Sequence, residues 1–329
     1  MTDLWIDNAP GERRAALVVD GEILEIHIQR DMQLILGQAG LGRIERKSPS
    51  GSYVITEDGT EILIRGTIDK PDGAQIRYEI IRESISEPGR VKPAEARVTA
   101  LCEEAVDTES LWNARLGALN AKSPISVPFG DAFDIAVAGS SKIGDATVYF
   151  QRTKAGVVFD VDGIGDASAI NSIAAQEIAR LLRLYQIGGM VIIDFVAVDS
   201  KNKRQEIADI FDVASQNDGR AFERSAVNGF GMMQVVRGRP RPSVLDIMFG
   251  TRISSLSSET QALWLYRNAV ASTGFGPRIV TTNSDVANIL RSPKWNALHT
   301  QCERLIGASM TIIVGENITG YGHVHVAQS

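Results

Sequence analysis

Three aspartates lie within or at the end of two apolar stretches, where they could hold a divalent cation. Asp194 lies within residues 188–200, and the apolar residues on either side predict a strand buried on both faces. Asp160 and Asp162 end the run 157–163, and residues two apart in a strand share a face. A charge in such a strand is costly unless a cation, a metal or a set of donors pairs with it. Carboxylate oxygens suit Mg²⁺, which activates water and polarises phosphates.

A basic segment follows these runs and offers groups for phosphate binding. Residues 201–241 hold eight Lys or Arg and five Asp or Glu, so this window carries +3 in a chain of net charge -6. Its densest part is Arg237-Gly-Arg239-Pro-Arg241-Pro, where alternate positions of an extended chain point the same way. Guanidinium groups match the geometry of phosphate oxygens. Two interpretations stay open, a phosphate-binding edge and a solvated loop.

Strand and helix patterns around the aspartates indicate the elements that position them. Helices are predicted over 169–186, with Asn171 as the N-cap, and over 201–215. The predicted strands cover residues 131–138, 146–162, 188–198, 221–227 and 230–236. This order predicts an α/β layer with the carboxylates near strand ends, where open sheets carry their sites.

The first third of the chain is predicted to form short strands joined by turns. Asp20-Gly21 predicts a hairpin, and residues 35–98 predict a small barrel of the OB type. Such barrels bind single-stranded nucleic acid through aromatic and basic faces, which makes Tyr53 and Lys92 candidates. An exposed strand tyrosine and a loop lysine are the alternative. Residues 93–121 are predicted to be mostly helical, 123–129 to connect domains, and 260–329 to form an α/β unit.

Composition sets the remaining limits. With 329 residues and 44% hydrophobic content, the chain can bury a large core and more than one folding unit. Cys102 and Cys302 form no CxxC pair, which excludes a thiolate zinc site and fits a reducing cytoplasm. The first residues lack the apolar core of a signal peptide, and no apolar run is long enough to predict a membrane span.

Residues 153–243 resemble the catalytic core of the ribonuclease E/G family of bacterial endoribonucleases. Five segments follow that family's order: TKAGVVFDVD, AAQEIARLLRL, IGG, MVIIDF and FGMMQVVRGRPRPS. The resemblance is weaker outward, where 4–30 is similar to the family's first strands and 33–98 to a shortened S1 barrel. Residues 260–327 are similar to the family's small C-terminal domain, which mediates subunit assembly there.

The resemblance implies an α/β (α+β) multidomain fold with a core that combines RNase H-like and DNase I-like parts. The RNase H-like part would comprise residues 1–30 and 99–145, and the DNase I-like catalytic core residues 146–250. The S1-type OB barrel would be inserted at 31–98, and the small C-terminal α/β domain would cover 251–329.

Site residues follow from the same resemblance. Asp160 and Asp194 match the aspartates that hold Mg²⁺, for which Mn²⁺ is a substitute, and Asp162 replaces an asparagine that supports the first of them. Those three are the expected catalytic residues. The expected RNA-binding residues are Arg237 and Arg239, which match a basic pair, Arg220, and the barrel positions Tyr53 and Lys92.

The chain also departs from the family's pattern. Residues 245–258 stand where the family has its zinc-link CxxC and contain no cysteine, so no structural zinc is expected. No segment corresponds to the family's pocket for a 5′-monophosphate. Ten residues separate Asp160 from Asn171, and Ala197 and Ala221 replace an aspartate and an arginine. The chain is therefore interpreted as a compact family member.

The resulting prediction is a cytoplasmic, Mg²⁺-dependent endoribonuclease that cleaves single-stranded RNA and leaves a 5′-phosphate on the downstream product. Subunits would assemble through the C-terminal domain. An RNA-binding protein with weak or no catalysis is the first alternative, favoured by the short loop after Asp160 and by Ala197 and Ala221. A metal-dependent hydrolase of another phosphodiester is the second, since the net negative charge does not demand RNA.

Overall fold

A computed structural model describes residues 2–99, 108–117, 121–122, 129–316 and 318–327. Its secondary structure is mixed, with strands in five sheets and helices packed on three of them. The mixed α/β class expected from the sequence is therefore confirmed. None of the helices in the described ranges combines the length and the apolar content that crossing a membrane requires.

An antiparallel sheet opens the chain and contains β1 (Thr2–Ala9), β2 (Glu12–Val19) and β3 (Glu22–Arg30). The turn between β2 and β3 has φ of 50° at Asp20 and 89° at Gly21. Positive φ at both central residues defines the type I′ turn that matches the twist of paired strands. The predicted hairpin is therefore confirmed.

A closed five-stranded barrel follows, as the sequence predicts. Its strands are β4 (Ala39–Ser48), β5 (Gly51–Thr56), β6 (Glu61–Ile64), β7 (Gln75–Arg82) and, after the two-stranded hairpin β8 (Ile85–Glu87) and β9 (Arg90–Lys92), β10 (Ala94–Val98). The five barrel strands close in the order β10-β6-β5-β4-β7. Alternate residues of each strand fill the interior, and Ile44, Val54, Ile62 and Ile80 are fully buried there.

The helix predicted over 93–121 is wrong for its first residues. β10 places Ala94 and Ala96 inside the barrel, so the period is two and burial overrides the helix propensity of this Ala- and Glu-rich stretch. Helix α1 (Thr108–Leu116) retains part of the prediction. Residues 100–107 and 118–120, together with most of the connection predicted at 123–129, lie outside the described ranges.

Two short elements lead into the core. β11 (Ala121–Lys122) pairs in parallel with β1, and α2 (Gly130–Ala138) follows. The strand predicted over 131–138 is wrong, because Ala132, Phe133 and Ala136 are buried together at helical spacing.

A six-stranded sheet carries the predicted aspartates. Its strands are β12 (Ser140–Ile143), β13 (Ala146–Arg152), β14 (Val157–Gly163), β15 (Gly189–Asp194), β16 (Phe222–Arg224) and β17 (Met232–Arg237), in the order β12-β13-β14-β15-β17-β16. Helices α3 (Ala167–Leu184) and α4 (Lys201–Ser215) supply the other predicted elements. The N-cap of α3 is Asp166, whose side chain accepts from the Ala169 amide at 2.9 Å, and the prediction of Asn171 at this position is wrong.

Helix α3 lies between the six-stranded sheet and the N-terminal sheet. Its buried residues Ile178 and Leu181 share one apolar cluster with Phe159 of β14 and Ile26 of β3. This cluster forms the largest core of the chain and covers one face of the six-stranded sheet. The opposite face carries the aspartates.

The C-terminal part forms a smaller α/β unit with its own core, as the sequence predicts. Helix α5 (Val244–Phe249) precedes this unit and packs in the large core. The unit comprises α6 (Ser258–Ala271), β18 (Arg278–Thr282), α7 (Ser284–Leu290), α8 (Asn296–Ile306), β19 (Met310–Val314) and β20 (His323–Val326). Helix α6 contacts the N-terminal sheet, where the Arg30 guanidinium donates to the Thr260 hydroxyl at 2.7 Å and Arg267 pairs with Asp7. The expected RNase H-like part and the domain boundaries stay predictions.

Candidate active site

The two strands that carry the aspartates are buried on one face only. In β14, Val157, Phe159 and Val161 point to the core, while Asp160 and Asp162 point away from it. In β15 the side chain of Met190 is 39% exposed. The predicted burial of this strand on both faces is therefore wrong, because α3 and α4 cover one face of the sheet and leave the face of Asp194 open.

The structure brings the two predicted metal ligands side by side. Asp160 and Asp194 are register partners in the parallel pair of β14 and β15, so both side chains project from the open face. Neighbouring strands lie about 4.8 Å apart, which is a distance that one cation can bridge between two carboxylates. The same register row continues to Tyr149 of β13 on one side and to Met232 of β17 on the other.

Among the described residues, no side chain makes a hydrogen bond or an ion pair with either carboxylate of this pair, so their charges are not compensated there. Adjacent carboxylates repel each other, and a divalent cation between them would replace repulsion by attraction. The arrangement therefore fits a divalent cation, and Asp160 and Asp194 are the residues that would hold it.

The described residues contain no cluster of three or more His, Cys, Asp or Glu side chains arranged to hold a metal ion. The protein would thus supply two carboxylates. Mg²⁺ commonly binds in this way, through one or two carboxylates completed by water and by the phosphates of the substrate.

Asp162 lies on the same open face but in the next register row, opposite Thr147. Two residues along a strand correspond to about 6.6 Å, so its carboxylate is displaced from the Asp160 and Asp194 row. Its Oδ1 accepts from the Gly163 amide at 2.8 Å. Asp162 therefore adds negative charge beside the pair rather than a third ligand in line with it.

The segment after Asp194 is held by groups from three other parts of the core. Asn171 of α3 is fully buried and bonds both the amide and the carbonyl of Val196. The Phe195 amide donates to the Gly231 carbonyl at 3.1 Å, and Gly231 has φ of 88° with no room for a Cβ beside the Phe195 carbonyl. Arg204 of α4 donates to the Val198 and Asp199 carbonyls, each at 2.8 Å.

Arg237 occupies a structural position inside the core. Its side chain is almost fully buried, donates to the carbonyls of Leu182 and Ile187 at 3.0 and 2.6 Å, and pairs with Asp218. Burial lowers the pKa of Arg237 to about 10. This placement opposes the predicted role in RNA binding, because the guanidinium has no face open to a phosphate.

Arg239 and Lys92 belong to one ionic cluster. Arg239 donates to Glu87 and to Asp246, each at 2.9 Å, and Lys92 pairs with Glu87 at 2.6 Å. Lys92 lies in the β8–β9 hairpin, so its predicted place on the barrel is wrong. Both cations are committed to the protein's own carboxylates: Lys92 pairs within the hairpin, and Arg239 fastens the hairpin to α5.

Arg220 and Tyr53 also have partners within the chain. Arg220 donates to the backbone and the side-chain oxygen of Gln186, at 3.2 and 2.7 Å. Tyr53 lies on β5 of the barrel, and the Arg46 guanidinium stacks 3.5 Å above its ring. Of the RNA-binding candidates, Tyr53 alone lies on the barrel, and its basic neighbour there is Arg46 instead of the predicted Lys92.

Two features of the site are not predicted from the sequence. Asn171 is predicted to be a helix cap, and only its long-range contact with Val196 reveals that it supports the Asp194 segment. Tyr149 is not among the predicted site residues. The alternation in residues 146–152 does contain a signal for it, since Tyr149 falls between the inward-facing Val148 and Phe150 and so points to the open face.

Comparison with known proteins identifies the same region. Residues 145–240 match the sequence model of the Ribonuclease E/G family. The Ribonuclease E/G-like protein, chloroplastic, of Arabidopsis thaliana is 28% identical over 109 residues, which are 30% of this chain and 11% of that protein. Ribonuclease E of Haemophilus influenzae is 35% identical over 71 residues, 22% of this chain and 8% of that protein.

Ribonuclease G of Escherichia coli strain K12 is 33% identical over 78 residues, which cover 23% of this chain and 15% of that protein. The matched stretch thus spans less than a sixth of the length of each of these relatives. Residues 145–240, which the family model matches, include both register-paired aspartates and the helices α3 and α4. Residues 145–240 of this chain are therefore similar to the Ribonuclease E/G family.

Proposed function

We propose that this protein is a Mg²⁺-dependent endoribonuclease that hydrolyses single-stranded RNA and leaves a 5′-phosphate on the downstream product. The observation that carries the proposal is the pair Asp160 and Asp194, register partners on an open sheet face inside the family segment. The relatives that match this segment are named ribonucleases, which supports RNA as the substrate.

In the proposed reaction a bound cation would act as the Lewis acid, and the residues of the site would hold and orient it. Asp160 and Asp194 would hold Mg²⁺, or Mn²⁺ in its place, and Mg²⁺ bound in this way polarises a phosphate oxygen and activates water. Asn171, Gly231 and Arg204 fix the backbone that follows Asp194, so the carboxylate keeps its position relative to Asp160. Asp162 would concentrate cations beside the pair.

Hydrolysis then balances as follows. The oxygen of a water molecule bonds to phosphorus, and the bond from phosphorus to the 3′ oxygen of the upstream nucleotide breaks. One proton of the water ends on that 3′ oxygen, and the phosphate stays with the 5′ oxygen of the downstream fragment. No redox step or further reactant is needed.

The closed barrel is the second element that supports RNA as the substrate. Barrels of this size bind single strands through aromatic and basic groups, and Tyr53 with Arg46 offers such a pair. Assembly of subunits through the C-terminal unit remains part of the proposal. The cytoplasmic location stays a prediction, and one relative is named as chloroplastic.

RNA binding without cleavage is the second candidate. It is favoured by the small number of ligands, two carboxylates with the exposed Ala197 nearby where the resembled family has a further aspartate. In that case the pair would be a remnant, and RNA affinity would not depend on a metal.

One assay separates the two candidates. A labelled single-stranded, AU-rich RNA is incubated with wild-type protein in Mg²⁺, in EDTA, and with Asp194→Asn in Mg²⁺. The proposal expects cleavage in the first reaction alone, with products that carry 5′-phosphate and 3′-hydroxyl ends. Binding in all three reactions without cleavage would support the second candidate. RNA with a 5′-phosphate and RNA with a 5′-hydroxyl should be cut alike if this compact chain does not sense the end.

A further inference from the structure

A cavity of about 380 Å³ opens directly beside Asp160. It lies at the edge of β13, between the end of α2 and helix α5. Its wall combines apolar side chains with few polar groups: Val137, Tyr149, Gln151, Val158, Phe249 and Ile253. Its volume falls in the range of sites that bind small molecules or parts of larger ones.

Tyr149 links this cavity to the aspartate pair. It is the register partner of Asp160 in the antiparallel pair of β13 and β14, so both side chains project from the same face. Directly opposed residues in such a pair have Cβ atoms about 5 Å apart. The Tyr149 side chain is 46% exposed, which leaves a ring face open to a partner at the mouth of the cavity.

The next register row gives the cavity an apolar floor and a polar edge. Gln151 pairs with Val158, and Val158 pairs with Ile192, all on the open face. A primary amide both donates and accepts hydrogen bonds, as the edges of nucleobases do. An aromatic wall, an aliphatic floor and one amide are the groups that hold a flat heterocycle.

The charges argue for a base rather than a phosphate in this cavity. Asp160 contributes a negative charge to the wall. The arginine that lines it, Arg152, is buried and committed to Asp246 and to the carbonyls of Ser86 and Gly250. A phosphate inside the cavity would meet the Asp160 carboxylate without a free cation, whereas a neutral base avoids that charge repulsion.

We propose that this cavity is a nucleobase subsite, in which Tyr149 stacks on the base of a nucleotide next to the phosphate that a cation at Asp160 and Asp194 would bind, and Gln151 contacts the edge of that base. The inference rests on the proposed function, since the base belongs to the RNA strand cleaved there. Tyr149 acts as a positioning residue, because it places the scissile phosphate through the base attached to it.

The test measures binding and cleavage separately. Binding is measured in an Asp194→Asn background, which keeps the RNA intact, with a short single-stranded RNA and a series in which each nucleotide in turn is abasic. The variants are Tyr149→Ala and Tyr149→Phe, and Phe275→Ala in the C-terminal unit serves as control for loss of an exposed aromatic ring. Cleavage of the same RNA series is followed with the Asp194 carboxylate present.

Loss of one stacked base lowers affinity by about 5- to 150-fold, so Tyr149→Ala should weaken RNA binding by about 10-fold or more. Tyr149→Phe and Phe275→Ala should bind as the parent does. RNA that is abasic at one particular position should bind the parent protein more weakly by a similar factor. The same abasic position should not lower the RNA affinity of Tyr149→Ala any further. In cleavage, Tyr149→Ala should raise KM more than it lowers kcat.

Each other result has one meaning. The subsite is wrong if Tyr149→Ala binds the RNA as tightly as the parent protein does. It is also wrong if the abasic position lowers the RNA affinity of Tyr149→Ala as strongly as it lowers that of the parent. If wild-type protein binds RNA with this dependence on Tyr149 but never cuts it, the subsite holds and the proposed hydrolysis fails. If wild-type protein binds no single-stranded RNA, both the function and the subsite are wrong.

Discussion

Asn171 holds the backbone of Val196 from both sides. Its amide nitrogen donates to the Val196 carbonyl at 2.7 Å, and its Oδ1 accepts from the Val196 amide at 3.0 Å. The side chain is fully buried in α3 and imitates a strand partner for a segment that has left the sheet. Since Val196 follows Asp194 by two residues, this contact sets the direction in which the chain leaves the candidate metal site.

Replacing Asn171 by Ala should therefore affect both stability and metal use. Two partly buried backbone groups lose their partner, which costs about 1–3 kcal/mol of unfolding free energy. Outer groups that orient a metal site typically change metal affinity by about 10-fold or more, so half-saturation with Mg²⁺ should rise by about 10-fold. Urea unfolding and Mg²⁺ titration of RNA cleavage measure the two effects.

Ser172→Ala is the matched control, because Ser172 is the next residue of α3 and bonds only the Ser168 carbonyl of its own helix. It should leave the Mg²⁺ titration unchanged. A loss of stability in Asn171→Ala with an unaltered Mg²⁺ titration would mean that Asn171 is structural only.

Arg237→Lys should reduce stability rather than RNA affinity. A lysine cannot serve the two carbonyls and Asp218 with the fixed fork of a guanidinium, and breaking a buried pair costs about 3–5 kcal/mol when one partner is removed. Thermal unfolding should show the loss, while folded protein binds RNA with wild-type affinity and salt dependence. Arg304→Lys, at an exposed position of α8, is the control and should change neither the thermal stability nor the RNA affinity.

The opposite result for Arg237→Lys would restore the prediction made from the sequence. If stability is unchanged while RNA binding weakens and its salt dependence falls by about one counterion, Arg237 contacts a phosphate.

The ion pairs of Glu87 should make the unfolding free energy depend on pH in the acid range. Burial alone would raise the pKa of this carboxyl, but hydrogen bonds and charges of Lys92, Arg90 and Arg239 outweigh it and bring the pKa to about 2, from 4.5. The folded state thus holds the proton less tightly than the unfolded state. The stabilisation is complete above pH 4.5 and is lost as the pH falls toward 2.

Glu87→Gln should remove this dependence. At pH 7 the variant should be less stable than wild type by about 1–3 kcal/mol, and the difference should shrink between pH 4.5 and 2. Urea unfolding at pH 7, 4 and 2.5 measures it, with Glu206→Gln on the exposed surface of α4 as control. A difference that does not change with pH would show that Glu87 is not the titrating group.

Elements with strong local patterns could be predicted from the sequence. The type I′ hairpin follows from Asp20-Gly21, and α4 from a clear period of 3.6 with a serine before it. The strands of Asp160 and Asp194 follow from their apolar alternation and length. Parallel pairing then follows from the helix between them, since a strand, helix and strand unit joins parallel neighbours.

What could not be predicted depends on distant partners. The residues from Met190 to Ile193 are apolar, and this pattern is the same whether one or both faces of the strand are covered. The open face is therefore apparent only in the structure, where helices cover one face of the sheet. Ala94 and Ala96 have high helix propensity, yet the barrel needs small side chains inside β10. The buried position of Arg237 depends on Asp218 and on the carbonyls of Leu182 and Ile187, at and after the end of α3. No local sequence pattern indicates these contacts.

The central claim is that Asp160 and Asp194 together hold a divalent cation. Mn²⁺ substitutes for Mg²⁺ and is counted directly by electron paramagnetic resonance, without RNA and without any measurement of activity. We expect wild-type protein to bind one Mn²⁺ that Mg²⁺ displaces, Asp160→Asn and Asp194→Asn to lose at least about 10-fold in affinity, and Asp162→Asn to lose less. Asp72→Asn, in an exposed barrel turn, should bind as wild type does. Unchanged Mn²⁺ binding in both Asp160→Asn and Asp194→Asn would contradict the account.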